Sequence, residues 1–223
     1  MPGTSLFWET MGKLLRTLGW ATVIIGVILG GLKATVMEWW RIPSDDPQFG
    51  ASLAPTLFPG DLVLLWKGTL KTGDLARCAD PEAPGRFLVG RIMGEPGEQV
   101  EISGPDVSVN GRRAVQEHSC SPARVTVQDP SSGADMEIHC GIESLNSRKH
   151  MRGTHTAGHR NPTVRKATVA DGQFYLVSDN RVHPFDSRDY GGLVKTTCKE
   201  FVVFRIKGTK GWADADTRMT FIN

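Results

Sequence analysis

Read from its amino end, the chain changes its pattern of apolar and polar positions twice. Residues 18–32 (LGWATVIIGVILGGL) carry no charge and are apolar on every helical face, as expected of a helix surrounded by lipid rather than packed on one side. That run is shorter than the ~20 residues needed to cross a hydrocarbon core. Lys33 can carry its ammonium outward on an aliphatic stem, however, and residues 34–37 continue the apolar stretch toward Trp39 and Trp40, a pair suited to a membrane–water interface. One transmembrane helix over residues 17–38 is therefore expected. Lys13 and Arg16 stand just before it, so the positive-inside tendency puts residues 1–16 in the cytoplasm and the remainder outside. The rival reading is a cleaved signal peptide, whose apolar region has a comparable length; no convincing small-x-small site accompanies it here.

After the anchor the apolar positions come in short runs separated by turn residues. Strands are expected at residues 62–66, 87–93, 100–102, 107–109, 173–177 and 200–206. Turns are expected at Phe58-Pro59-Gly60-Asp61, Gly73-Asp74 and Gly94-Glu95-Pro96-Gly97, with a hairpin signal at Asn110-Gly111. Between about residues 115 and 165 the pattern becomes polar and rich in histidine, arginine and serine, with one alternating stretch from Met136 to Cys140. This predicts a mainly β body in two parts, residues 39–114 and 169–223, interrupted by an inserted subdomain or long loop over 115–168. There are no internal repeats.

Composition narrows this further. With 25 glycines and 13 prolines the body should be rich in turns and short strands. A charged fraction of 22 % and a hydrophobic fraction of 39 % exclude a disordered or multi-spanning chain. The net charge of +2 and the lack of a basic stripe interleaved with aromatics argue against nucleic acid as a partner. None of the four cysteines (Cys78, Cys120, Cys140, Cys198) forms a Cys-x-x-Cys pair, so no zinc or thioredoxin-type site is indicated, and no cofactor is implied. Cys120 and Cys140 can bridge if the body lies outside the cytoplasm; the alternative is unpaired or buried thiols.

Three blocks carry the candidate chemistry. The first is Ser52-Leu53-Ala54-Pro55-Thr56-Leu57, followed by Gly60-Asp61. The second is Arg91-Ile92-Met93-Gly94-Glu95-Pro96-Gly97-Glu98, and the third Ser178-Asp179-Asn180-Arg181, continuing to Asp186-Ser187-Arg188. Taken singly, each could be an ordinary turn or solvated loop. Together, in this order and behind an anchor, they resemble the type I signal peptidase family over about residues 15–205. The first is similar to that family's Ser-Met-x-Pro-Thr-Leu box, with Leu53 for the methionine; the second to Lys-Arg-Val-x-Gly-x-Pro-Gly-Asp; the third to Gly-Asp-Asn-Arg followed by Asp-Ser-Arg.

The resemblance implies a strand-rich peptidase core in which Ser52 is the nucleophile. A serine hydroxyl attacks only when a nearby base takes its proton. In bacterial members that base is a lysine, neutral because apolar burial lowers its pKa from about 10.4. The serine then attacks the carbonyl after a small-x-small recognition sequence, backbone N–H groups stabilise the oxyanion, and water hydrolyses the acyl-enzyme. Arg91, Asp179, Asn180, Arg181, Asp186, Ser187 and Arg188 would support the site through salt bridges and hydrogen bonds.

One departure bears directly on chemistry. The base lysine of the family immediately precedes the arginine of the second box, and here that position is Gly90. Arg91 cannot replace it, because a guanidinium does not deprotonate in proteins. Candidate substitutes are His150, His155, His159, Lys67 and Lys166, none placed near Ser52 by the sequence. A second departure is that Ile42-Pro43-Ser44 is separated from Ser52 by extra residues. Anchored there, the nucleophile position would fall on Asp46, although the ungapped Pro-Thr-Leu and Gly-Asp favour Ser52. Gly50 stands where some relatives carry a serine that donates to the oxyanion. The resemblance thus implies removal of signal peptides from exported preproteins at the outer face of the bacterial inner membrane, with the lipid bilayer as the other partner. The alternative is a non-catalytic relative that binds signal-peptide-like segments or assists assembly of surface proteins. A self-cleaving repressor-type protease of related Ser/Lys fold conflicts with the anchor.

Overall fold

The computed structural model describes residues 3–155 and 163–222. The chain divides into two compact units, 1–38 and 39–223. The first is built on helix α1 (Gly3–Thr35), within which Met11–Gly31 is apolar and long enough to cross a membrane. Two threonines close to or within the apolar run hide their hydroxyls by donating to the preceding turn, Thr17 to the Leu14 carbonyl at 2.8 Å and Thr22 to that of Leu18 at 2.9 Å. That arrangement satisfies both hydroxyls within the helix, as an apolar surrounding requires.

The second unit is strand-rich. In chain order it holds β1 (Met37–Arg41), the short helix α2 (Pro47–Ser52), β2 (Leu62–Lys67), β3 (Leu75–Ala79), β4 (Phe87–Gly94), β5 (Gln99–Ser103), β6 (Asp106–Val109) and β7 (Arg112–Arg113). The long strands β8 (Val115–Gln128), β9 (Asp135–Leu145) and β10 (Arg148–His155) follow. Then come β11 (Val164–Thr168), β12 (Gln173–Val177), the one-turn helix α3 (Ser187–Tyr190), β13 (Leu193–Val194), β14 (Cys198–Lys207) and β15 (Thr220–Phe221). The main sheet runs β1-β2-β14-β3-β4-β12-β13, with β15 added to β14; β11-β5-β6-β7 and β10-β9-β8 form two further sheets. Mainly β is therefore correct.

Each strand expected from the apolar runs is present. Asn110 (φ 51°) and Gly111 (φ 77°) both take positive φ between β6 and β7, as a type I′ hairpin turn requires. Two expectations change. The helix ends at Thr35, and Trp39 and Trp40 lie in β1 rather than at a helix end. Trp40 serves packing, its ring meeting Phe49 and Phe87 edge-on at 6.2 and 6.1 Å. The polar stretch after residue 115 folds as the β8–β10 sheet. Its polarity reflects β8 being an exposed edge, while β9 turns Ile138, Cys140, Glu143 and Leu145 inward. Of the two alternatives for Cys120 and Cys140, the bridge is the one formed, joining β8 to β9, and a second bridge, Cys78–Cys198, ties β3 to β14.

Strand β4 positions the candidate site, because its side chains alternate between two cores. Val89 packs with Phe49, Leu53, Leu57, Val63 and Leu65 on one face. Leu88 and Ile92 pack with Ala76, Phe174, Leu176 and Leu193 on the other.

Candidate active site

Ser52 is the last residue of α2. Asp46 caps this six-residue helix, its carboxylate accepting from the Phe49 amide at 2.9 Å, and Pro47 follows at the first helical position. Asp46 is thus a helix cap. The Ser52 side chain is fully buried and its hydroxyl donates to the Phe49 carbonyl at 2.7 Å. Asn180 fixes the end of the helix from the third box: its backbone N–H donates to the Ser52 carbonyl at 3.0 Å and its side-chain amide to the Ala51 carbonyl at 2.8 Å. Those two bonds satisfy carbonyls that a helix end would otherwise leave open. At Gly50, an added Cβ would sit 2.5 Å from Pro59 Cγ, so close packing of the following turn accounts for the missing serine.

Arg91 crosses from β4 to the third box. Its Nε and Nη2 donate to the two oxygens of Asp179 at 2.9 and 2.7 Å, and its Nη1 to the Gly73 carbonyl at 2.7 Å. Asp179 also accepts from the Thr56 hydroxyl at 2.6 Å, so the three sequence blocks meet at one buried carboxylate. Burial pushes the Asp179 pKa up, but the facing Arg91 charge and these hydrogen bonds outweigh it and hold the carboxyl below its usual range. Asp186 and Arg188 form a second fork at 2.8 and 2.6 Å, and Asp186 accepts from the Ser178 amide at 2.8 Å. Here too burial raises the carboxyl while the bonds to Arg188 bring the net shift downward. Ser187 accepts from the Leu176 amide at 2.9 Å, locking α3 to β12. Arg91 and Asp179 thus reach the first block through Thr56, and Asn180 through the α2 carbonyls, whereas Asp186, Ser187 and Arg188 bond to one another and to the end of β12.

Position 90 lies in the buried part of β4, paired with Ala76 of β3. By strand alternation it faces the Leu88–Ile92 core, and an added Cβ would meet Leu176 Cβ at 3.0 Å and the Val177 carbonyl at 3.5 Å. The surroundings are apolar, as a neutral lysine needs, but they have closed to fit a glycine.

Arg181 belongs to a cluster that sequence reasoning missed. Its guanidinium pairs with the fully buried Glu143 of β9, which also accepts from His150 at 2.9 Å and Arg152 at 3.1 Å. Arg181 donates as well to the Pro105 carbonyl at 2.7 Å. Burial alone would raise the Glu143 pKa, yet Arg181, His150 and Arg152 lower it to about 2. His150 is no solvated loop residue. It is buried, and burial first, then the Arg91 charge, push its pKa down. Its Nε2 is committed to Glu143. The alternation Ile138–Cys140 was visible in the sequence, but nothing local marked Glu143 as a partner of a residue 38 positions away. Among the other substitute bases, Lys166 pairs with Glu101 at 2.9 Å on the surface, His155 ends β10 exposed, and Lys67 ends β2. His159 lies outside the described residues.

In chain order, a strand-rich body follows an apolar helix of membrane-spanning length. Residues 15–203 match the model of the family described as "Signal peptidase, peptidase S26", and the chain belongs to that family. It is similar to signal peptidase I V of Bacillus subtilis (strain 168), 26 % identical over 147 residues that cover 64 % of this chain and 73 % of the relative. It is also similar to signal peptidase I of Pseudomonas aeruginosa, 23 % identical over 70 % of this chain and 56 % of that one. A crystal structure of a signal peptidase I from Enterococcus faecalis V583 aligns with a TM-score of 0.36 at 19 % identity, covering 60 % of this chain and 97 % of that one.

Proposed function

We propose that the protein engages signal-peptide-like segments of exported proteins at the outer face of a bacterial inner membrane, and that it cleaves them slowly or not at all. The observation that carries this reading is Gly90: no amine stands where the family places its general base. The Ser52 hydroxyl is instead bonded to the Phe49 carbonyl. An alcohol held this way keeps its proton, and without a base the acylation step forgoes a contribution of about 10²–10⁴-fold. The anchor would hold the N-terminus in the cytoplasm and deliver the body to the opposite side, where signal peptides emerge.

A second reading, efficient signal-peptide removal with Ser52 as nucleophile, is favoured by the coherence of the scaffold. Thr56, Arg91 and Asp179 are bonded as a unit, and Asn180, next to Asp179, bonds to the Ser52 carbonyl. Cleavage of a preprotein by wild type, Gly90→Lys and Ser52→Ala, followed by mass analysis, separates the two. The binding reading predicts little or no product from wild type and a gain of about 10²–10⁴-fold on Gly90→Lys. Brisk wild-type cleavage that Ser52→Ala abolishes and Gly90→Lys does not increase would establish the enzymatic reading instead.

A further inference from the structure

The β8–β9 hairpin has a distal half that lies over the first sequence block. Among the described residues, strand β10 pairs with β9 from Leu145 to Ile138, the last of these opposite His155. From there β8 and β9 continue as a paired ribbon, with Val125 opposite Ile138 and Val127 opposite Met136. Val127 and Ile138 form one buried cluster with Ala54, joined by Phe58, Val125, Met136 and Val182. The other face carries Arg124, Thr126 and Gln128 to solvent. The ribbon leaves the sheet at an irregularity between Ser119 and Arg124, and the Cys120–Cys140 disulfide staples it at that point. Close contact is possible because Gly153 has no side chain: an added Cβ would lie 2.6 Å from Ile138 Cδ1, 3.3 Å from Pro55 Cδ and 3.4 Å from the Ala54 carbonyl. Ser52, two residues before Ala54, has no exposed surface.

We propose that residues 124–138 are a flap closed over the Ser52 shelf, which lifts from its base near the 120–140 disulfide before an extended peptide segment can reach that shelf. The inference rests on the proposed engagement of signal-peptide segments at this site, and it makes the described conformation the closed one. Its apolar underside is small, so opening uncovers the contacts with Ala54, Phe58, Val182 and His183 while the β2–β14 sheet stays intact.

The test uses the full-length protein carrying Ser52→Cys. All four native cysteines are in disulfides, so the new thiol is the single reporter. Iodoacetamide should label it slowly, and adding Val127→Ala, which thins the flap underside, should raise the labelling rate by at least about tenfold. Hydrogen exchange on wild type should show amides of residues 125–127 and 136–138 opening well before those of β2 and β14. Equal labelling rates with and without Val127→Ala would overturn the flap. So would flap and core amides that open only together, a measurement that decides the matter even if the double variant does not fold. Adding a synthetic signal peptide supplies the separate arm. A Val127→Ala effect with no response of labelling to the peptide leaves the flap standing and removes the proposed binding function.

Discussion

Replacing Glu143 by glutamine keeps the shape of the side chain and removes its charge from the centre of the buried cluster. In the wild type this one carboxylate faces Arg181, Arg152 and His150, and neither it nor the Arg181 side chain has exposed surface. A pKa of about 2 against an ordinary 4.5 is a difference of 4.5 − 2 = 2.5 units, which corresponds to about 3 kcal/mol of stability at neutral pH. Leaving the buried Arg181 guanidinium without its counter-charge, while Arg152 keeps Asp106 at 3.3 Å, costs a similar ~3–5 kcal/mol. For a chain of this size a loss of about 3–5 kcal/mol lowers Tm by roughly 6–20 °C. The sign with pH follows from the lowered carboxyl. Its stabilisation is complete above about pH 4.5 and is lost as pH falls toward about 2. Thermal melts of the detergent-solubilised protein from pH 7 to pH 3 should therefore show a large wild-type advantage at pH 7 that narrows steadily below pH 4.5. A Glu143→Gln variant within 1 kcal/mol of wild type, with the same pH slope, would refute the assignment of this cluster as a stability element. Because Arg181 adjoins Asn180, whose two hydrogen bonds hold Ala51 and Ser52, the variant should also speed hydrogen exchange in residues 51–53.

Three further outcomes are expected. Gly153→Val should destabilise the protein by about 1–3 kcal/mol, because even its Cβ collides with Ile138 and crowds Pro55; chemical denaturation reads this, and a neutral effect would mean the insert does not dock as described. Removing the Cys78–Cys198 bridge, which spans 120 residues, should cost about 4–5 kcal/mol by chain entropy, far more than most surface changes, and the denaturation midpoint of the Cys78→Ala/Cys198→Ala variant checks it. A reporter fused after residue 222 should be active outside the cytoplasm and the protein should resist alkaline extraction, whereas a shortened soluble product would favour the cleaved-signal reading of residues 18–32.

The local elements were legible where a single segment carried its own signal. Residues 87–93 and 173–177 read as strands because their burial is nearly continuous, residues 62–66 because an apolar run lies over an alternating burial, and Asn110-Gly111 read as a hairpin because both residues must take positive φ. β8, β10 and β11 were not legible. They are edge or near-edge strands whose outward positions are arginine, lysine, glutamate and histidine, so the period-2 pattern is broken on the solvent side. β3 was hidden by Arg77, a buried residue whose charge is met by Glu200 at 2.9 Å on the neighbouring strand. The three sequence blocks converge on Asp179, as their order suggested, yet the Glu143 cluster stayed invisible. Its members come from β9, β10 and the third block, and only tertiary pairing brings them together. Gly90 was legible as a departure from the family's second box, but that the sheet had closed around it onto Leu176 was not, because β12 and its irregularity between Tyr175 and Leu176 set that distance.

The most direct measurement of the central claim is to titrate a fluorescent signal peptide bearing a small-x-small end onto the full-length protein in detergent, and to analyse the same samples by mass after extended incubation. The account predicts saturable binding that a scrambled peptide does not reproduce, unchanged by Ser52→Ala, with the bound peptide recovered almost entirely intact. Rapid conversion to two fragments by wild type, absent in Ser52→Ala, would contradict it by showing that a base other than a residue at position 90 activates Ser52; no saturable binding at all would remove the signal peptide as its partner.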